Sequence, residues 1–267
     1  MKRWKRCRMK IYRKPKNKII YRQYDSRWGN LPYPVLPSTM AKSGCGDCAI
    51  THCLIESNKY ADYTPKTIIG YMRNYAVKGH GTKHIGMPEA LKHYGYTEVK
   101  EHATMEDLFK ELKKGERVGV LLFGNNKAPD GTLWTSAGHF VAFVGYKTTN
   151  DGKKHYLYTK DSGGRWNDGW HCYETSMKGC VRKVWSAKVT EFIILPERGY
   201  FKLGDKDDSI KIIQQFLKDK GYYNGKVGGR YGRLTKKAVA KFQKAYGLNP
   251  DGLWGKYTQN LYERLTR

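Results

Sequence analysis

Apolar residues recur along this chain with two different spacings, and the change from one to the other divides it. In the longer front part, Ala49, Ile50, Cys53 and Leu54 share one face of a helical period and predict a helix from 45 to about 58. A second helix is predicted over 65–75. A third begins at Thr104-Met105-Glu106-Asp107, a capping-box-like start, and runs through Leu108, Phe109 and Leu112 to a stop at Gly115. Short runs rich in β-branched and aromatic residues, at 118–123, 140–146, 156–159, 181–185 and 192–195, read as strands of an antiparallel sheet. The front part is therefore expected to be α+β.

Beyond 196–199 (Pro-Glu-Arg-Gly) the pattern becomes helical. Ile210, Ile213, Phe216 and Leu217 form one apolar stripe that ends at Gly221, and Ala238, Val239, Phe242 and Tyr246 form a second that ends at Gly247. A third helix through Leu261 and Leu265 completes a three-helix unit. Each of the first two is followed by a copy of one motif: GRYGRLT at 229–235 recurs as GLWGKYT at 252–258, a glycine turn, an aromatic ring, a second glycine and a helix-capping Thr. These boundaries give a basic arm over 1–19, a large domain over 20–196, a linker over 197–202 and a small domain over 203–267.

Charge narrows the partners. Among 267 residues, 50 Lys and Arg face 24 Asp and Glu, a formal charge of +26, so the protein suits a polyanion: nucleic acid, an anionic membrane or an acidic wall polymer. A 13% aromatic content exceeds that of a disordered basic tail and indicates a folded protein. Residues 2–18 are dense in Lys and Arg but lack the apolar core of a secretory signal, and no stretch is long enough to span a bilayer. Synthesis as a soluble cytosolic protein is the expectation.

Three of the six cysteines, Cys45, Cys48 and Cys53, fall in one predicted helix, which is not how a disulfide-stapled domain distributes them. Reduced thiols are expected. Cys45 stands at the helix start, after Ser43-Gly44, where unpaired backbone N–H groups and the dipole stabilise a thiolate. Cys48 and Cys53 read as small buried thiols. A base for such a thiol is a histidine held by a third group. His139 opens one strand and Asp161 closes the next; with the intervening turn centred near Asn150 they lie opposite each other on one face, whereas a one-residue shift separates them. That arrangement contains its own nucleophile and base and requires no metal or cofactor.

The same residues support other readings. Cys45-Gly46-Asp47-Cys48 has the spacing of a redox motif but lacks the strand-helix context that gives it weight. Cys45, Cys48 and His52 also fit a zinc site completed by His171, Cys172 or Cys180, although a second clean pair is missing. His80 and His84 sit in a glycine-rich loop and read as surface residues, with a substrate-loop role as the alternative, and Trp166, Asp168 and Trp170 are candidates for the edge of a cleft, the tryptophans equally for the core.

Residues 203–265 resemble the peptidoglycan-binding domain carried by many wall hydrolases. The resemblance rests on Ile213-Gln214-Gln215-Phe216-Leu217, Gly221-Tyr222-Tyr223-Asn224-Gly225, Gly229-Arg230-Tyr231-Gly232, Thr235, Ala238-Val239, Phe242-Gln243, Asp251-Gly252-Leu253-Trp254-Gly255 and Thr258. It departs at Val227-Gly228-Gly229, where an Asp usually precedes the second glycine. It implies binding of glycan and stem peptide, with Tyr222, Tyr223, Tyr231 and Trp254 as the ring-lined binding residues.

Residues 20–195 resemble the C-thirty-nine-like group of papain-type cysteine peptidases, related to the enzymes that process double-glycine bacteriocin leaders. The match rests on Gln23-Tyr24-Asp25-Ser26-Arg27-Trp28-Gly29, Ser43-Gly44-Cys45-Gly46, Tyr63-Thr64-Pro65, Gly138-His139-Phe140-Val141 with Val144-Gly145-Tyr146, and Lys160-Asp161-Ser162. It implies a papain-like fold, a helix carrying the cysteine packed on an antiparallel sheet. It implies Cys45 as nucleophile, His139 as general base and acid, Asp161 as the residue orienting the histidine, and Gln23 as side-chain donor of the oxyanion hole. Gln23 stands farther from Cys45 than is usual, so 30–42 must loop out. Asp47-Cys48 replaces the usual Pro-Thr or Pro-Ser, and Ser162 replaces the usual Pro.

Together the two resemblances imply a peptidoglycan hydrolase that cuts a wall amide bond, an endopeptidase or an N-acetylmuramoyl-L-alanine amidase using the same triad, with a non-catalytic wall-binding protein as the alternative from another class. The pairing looks like a bacteriophage endolysin, held in the host cytoplasm until holin-mediated release. Its partners are then peptidoglycan and, through the basic surface, the anionic polymers of Gram-positive walls, and nucleic acid is not expected.

Overall fold

The computed structural model describes residues 8–33, 38–77, 81–164 and 167–266. Residues 1–7 of the basic arm with Cys7, part of the 30–42 segment, His80 and Trp166 lie outside the described residues. The chain forms two compact units, Met1–Thr190 and Glu191–Arg267.

In the first unit the described elements are, in order, β1 (Met9–Arg13), α1 (Met40–Ser43), α2 (Cys45–Leu54), α3 (Pro65–Met72), β2 (Ala76–Val77), β3 (Gly81–Thr82), α4 (Gly86–His93), β4 (Thr97–His102), α5 (Met105–Leu112), β5 (Arg117–Phe123), β6 (His139–Thr149), β7 (His155–Lys160), β8 (Gly169–Cys172), α6 (Tyr173–Ser176) and β9 (Val181–Lys188). Seven strands make one antiparallel sheet in the order β4-β9-β5-β6-β7-β8, with β1 also paired to β6. Strand β5 is buried throughout and β6 nearly so, because both faces of the sheet are covered. On one side Leu108, Phe109 and Leu112 of α5 pack on Leu121, Phe143, Tyr146 and Leu157. On the other lies α2, whose Cys53 thiol donates to Gly119 O at 3.3 Å. This is the predicted α+β architecture, a cysteine-bearing helix on an antiparallel sheet.

Local signals place the ends of several helices. Thr104 caps α5 by accepting from Asp107 N at 3.1 Å, and Gly115 takes a positive φ of 78° just beyond it. Helix α2 stops at Leu54, short of the expected end, where the Tyr96 hydroxyl reaches Cys53 O at 2.7 Å and satisfies a terminal carbonyl. One expected strand is absent: 192–195 pairs with no strand, and Ile193 instead packs in the core of the second unit. Its apolar run reflects burial against helices, which periodicity cannot tell from a short buried strand.

The second unit holds β10 (Tyr200–Phe201), α7 (Asp208–Asp219), α8 (Arg233–Ala245), β11 (Trp254–Gly255) and α9 (Lys256–Thr266). The repeated motif is secured by a repeated glutamine. Gln214 Oε1 accepts from Gly228 N and Gly229 N at 2.9 and 3.0 Å, and Gln243 Oε1 accepts from Gly252 N at 2.9 Å. Each glutamine also donates to its motif's Thr hydroxyl, Thr235 or Thr258. These turns fix the rings inward. Tyr231 and Trp254 are fully buried and Tyr223 is nearly so, while Tyr222 is half-buried against Phe242. Three of the four rings expected to line a groove, Tyr223, Tyr231 and Trp254, are thus core, because a small domain needs large side chains to fill its interior. Surface rings lie elsewhere, at Tyr200 and Tyr257, beside a cavity of about 290 Å³ that Asn249, Asp251 and Lys256 also line.

Candidate active site

The site is assembled around the start of α2. Helix α1 would run straight into α2, but Ala41 O accepts the side-chain amide of Gln23 at 2.7 Å instead of closing a helical bond to Cys45 N–H. The chain breaks at Gly44, and Cys45 begins a new helix with its N–H uncommitted among the described residues. A side chain at Gly44 would meet Met40 O at 2.6 Å, so glycine is required for the close approach of the two helices. Cys45 is partly exposed, whereas Cys48 and Cys53 are fully buried.

His139 opens β6 and Asp161 follows the end of β7. The register is not the one centred on Asn150: near the turn Tyr146 pairs with Leu157, and nearer the site Ala142 pairs with Lys160, with a bulge between Phe143 and Gly145. His139 and Asp161 are consequently diagonal neighbours rather than directly opposed. They share a face, and His139 Nε2 meets Asp161 Oδ1 at 2.7 Å. The Cys45 side chain is the other group that favours charge on the ring, so His139 stands between thiol and carboxylate.

Burial disfavours charge on His139, but its hydrogen bonds to Asp161 and Cys45 outweigh that and hold the imidazolium up to about 10. Burial pushes the Asp161 carboxyl up, and the His139 and Gly163 hydrogen bonds with the Arg22 charge more than reverse it, leaving it below its ordinary value. Gly163 N donates to Asp161 Oδ1 at 2.7 Å, and a methyl group there would lie 3.0 Å from His139 Nε2.

Gln23 is fixed at both ends. Its Nε2 donates to Ala41 O, its Oε1 accepts from Ser162 Oγ at 3.2 Å, and its backbone N–H donates to Ser162 O at 3.1 Å. A carbonyl only accepts, so the nitrogen end faces Ala41 and the start of α2, with a second N–H to offer. The segment that lengthens the gap to Cys45 folds back, with Pro32 bridged to Thr39 and Ala41 N bonded to Gly29 O at 2.9 Å.

Three neighbours were not expected in this role. Asp168, expected at a cleft edge, accepts from Asp161 N at 2.7 Å, and Arg22 pairs with it at 2.5 Å. The only signal for Arg22 was its position beside Gln23. Asp47 is the third: it is fully buried in the first turn of α2, accepts from the Tyr33 hydroxyl at 3.2 Å, and burial pushes its carboxyl up to about 7.

The residues of the competing readings are dispersed. Burial pushes the Cys48 thiol well up and the His52 imidazole well down, and His52 Nε2 accepts from Tyr21 N at 2.7 Å. Among the described residues no three His, Cys, Asp or Glu side chains are gathered to hold a metal ion. His84 is exposed beside Phe140, and Trp170 meets Tyr158 edge to face with the Lys147 ammonium over its ring. Among the described residues no helix is long and apolar enough to cross a membrane.

Residues 21–191 match the Peptidase_C39 like family, and residues 206–261 match a family described as a peptidoglycan binding domain. Over 56 residues the chain is 39% identical to N-acetylmuramoyl-L-alanine amidase CwlM of Mycobacterium tuberculosis, 21% of this chain and 14% of that protein. Over 64 residues it is 36% identical to a spore cortex-lytic enzyme of Bacillus cereus, 24% of this chain and 25% of that enzyme. The crystal structure of the SleB N-terminal domain is similar at 31% identity over 28% of this chain and 100% of that one, with a TM-score of 0.26. The chain spans a quarter or less of the length of the curated relatives it matches.

Proposed function

The chain belongs to the Peptidase_C39 like family, and from that premise we propose that it is a peptidoglycan hydrolase cutting an amide bond of the wall peptide by a thiol mechanism. The observation that carries the reading is the His139 ring, which meets Asp161 Oδ1 through Nε2 at 2.7 Å and has its charged form favoured by the Cys45 side chain at the start of α2. In this reading His139 takes the Cys45 proton and the thiolate attacks the scissile carbonyl carbon. The oxyanion that forms is met by the free N–H of Cys45 and the second N–H of Gln23. His139 then passes its proton to the departing amine, leaving a thioester on Cys45. Water, activated by the same ring, releases the acid and restores the thiol. Asp161 keeps the imidazole in the required tautomer and stabilises its charge.

The tail supports wall peptide as the substrate, since residues 206–261 match a peptidoglycan binding domain and a tethered binder raises the local concentration of catalyst on the polymer. We place the bond within the stem or cross-bridge, making the enzyme an endopeptidase, with an N-acetylmuramoyl-L-alanine amidase using the same triad as the alternative. Pairing of these domains with a charge of +26 favours an endolysin of bacteriophage type, kept in the host cytoplasm until released onto an anionic wall. Digestion of purified walls followed by mass spectrometry tests the assignment: new N-terminal amines are expected, and free lactyl groups would make it an amidase. Lysis should survive EDTA and stop with iodoacetamide; loss on chelation with recovery on zinc would overturn the thiol mechanism.

A further inference from the structure

Asp161 lies just past the last ladder pair of β7, Ala142 with Lys160, so the sheet does not hold its backbone. A single ion pair holds it instead. Asp168 Oδ1 accepts from Asp161 N at 2.7 Å, Asp168 Oδ2 accepts from Arg22 Nη2 at 2.5 Å, and Arg22 Nη1 donates to Asp161 O. Both backbone groups of Asp161 are thereby tied to the two ends of one Arg–carboxylate pair.

We propose that Arg22 and Asp168 form a positioning clamp that sets Asp161 against His139 and locks Gln23 to the same loop. The inference rests on the thiol mechanism above and adds two residues to it. Arg22 is itself anchored, because its carbonyl accepts from the indole of buried Trp28 at 2.8 Å and from Asp25 N at 3.2 Å. Gln23 follows directly in the chain and is bonded to Ser162, the neighbour of Asp161. A displacement of the pair therefore moves the orienting carboxylate and the oxyanion donor together. The geometry needs a fork: the planar guanidinium reaches a carboxylate and a carbonyl at once, which the point charge of a lysine does not. Arg22 and Asp168 side chains are 18% and 15% exposed, so their attraction is screened less than that of a surface pair.

The test compares Arg22→Met, Arg22→Lys, Asp168→Ala, Asp168→Asn and the double Arg22→Met/Asp168→Ala in the full chain. Turnover and KM are measured on wall fragments, and iodoacetamide labelling of Cys45 is followed by peptide mapping. Each single loss is expected to lower kcat about tenfold or more with KM within about twofold, and to slow Cys45 labelling in parallel. The conservative variants should fall between. The double variant should be no slower than the slower single, because the two residues act as one unit. Wild-type kcat and labelling in the single variants, additive losses in the double, or a loss confined to KM would overturn the clamp. Cys45 labelling needs no knowledge of the substrate: slowed labelling alongside a wild type that does not lyse walls would leave the clamp standing and remove the wall-hydrolase reading instead.

Discussion

His139 and Asp161 meet at 2.7 Å because Val144 is an extra residue in β6. Carried on from the turn, the pairing of Tyr146 with Leu157 would set Ala142 opposite Asp161, and His139, an odd number of residues away, would face the other side of the sheet. The bulge moves the register by one and restores the shared face. Its carbonyl is not left idle: Val144 O accepts from Arg13 Nε at 3.1 Å.

The His139–Asp161 contact leaves little room for a side chain at Gly163, where a methyl would stand 3.0 Å from His139 Nε2 and 3.2 Å from Asp161 Oδ1 and would have to push one of them aside. Gly163→Ala is expected to cost about tenfold or more in kcat by parting the pair, with little change in melting temperature. Gly70→Ala, on helix α3 with nothing within 4 Å of the added carbon, should instead stabilise by about 0.5–1 kcal/mol and leave activity unchanged. Equal activity in the two variants would remove the packing argument.

The three thiols of α2 separate by burial. Cys45→Ala should abolish lysis while leaving folding and wall binding intact. Cys48→Ser and Cys53→Ala should remain lytic and lose on the order of 1–2 kcal/mol in denaturant titrations, since both are fully buried. His139→Ala should match Cys45→Ala, and Asp161→Asn should be milder. An active Cys45→Ala with a dead Cys48→Ser would move the nucleophile by a helical turn.

Asp47 gives a pH signature in stability. Its folded pKa, raised by burial to about 7, exceeds the ordinary carboxylate value, so the folded state keeps a proton that the unfolded chain has lost. The stability this contributes is present below about pH 4 and is lost as pH rises through about 7. Asp47→Asn, neutral at every pH, should therefore gain at least about 1 kcal/mol over wild type at pH 8 and nothing at pH 4. A uniform gain or loss across that range would show that the carboxyl does not titrate as described.

Glu56 is a buried centre of charge. Its carboxylate, like the Lys160 ammonium, is fully shielded, and it binds Lys160 Nζ at 3.2 Å and Arg13 Nη2 at 3.1 Å, with Lys16 N at 2.8 Å. Glu56→Ala removes the carboxylate from buried Lys160 and leaves buried Arg13 with the largely exposed Glu116, and should destabilise by about 3–5 kcal/mol, read by urea unfolding. A loss of only a few tenths would mean that water reaches the site.

Wall binding should follow the surface rings of the second unit rather than its buried ones. Residues 191–267 expressed alone should sediment with purified peptidoglycan, and Tyr257→Ala, at a residue 80% exposed beside the cavity, should weaken that severalfold without unfolding the domain. Trp254→Ala should unfold it. Retention of binding in Tyr257→Ala at both low and high salt would exclude this cavity, and loss of all binding in high salt would reduce the contact to charge.

Whatever is encoded by neighbours in the chain was legible in the sequence. The start of α2 at Cys45 follows from Gly44, the cap of α5 from Thr104, and the turns of the tail from its repeated glycines, because each depends on a few consecutive residues. His139 and Asp161 could be named as partners since the strand ends were visible. Their meeting was decided by a bulge that no pattern of alternation displays. Arg22 and Asp168 lie far apart in sequence, and only folding of the N-terminal segment onto the β7–β8 connection sets them on the two sides of Asp161. The same holds for Tyr231 and Trp254: a ring between glycines suits a groove or a core equally well, and the choice fell to the closing of a small domain's interior, a property of the whole domain rather than of any segment.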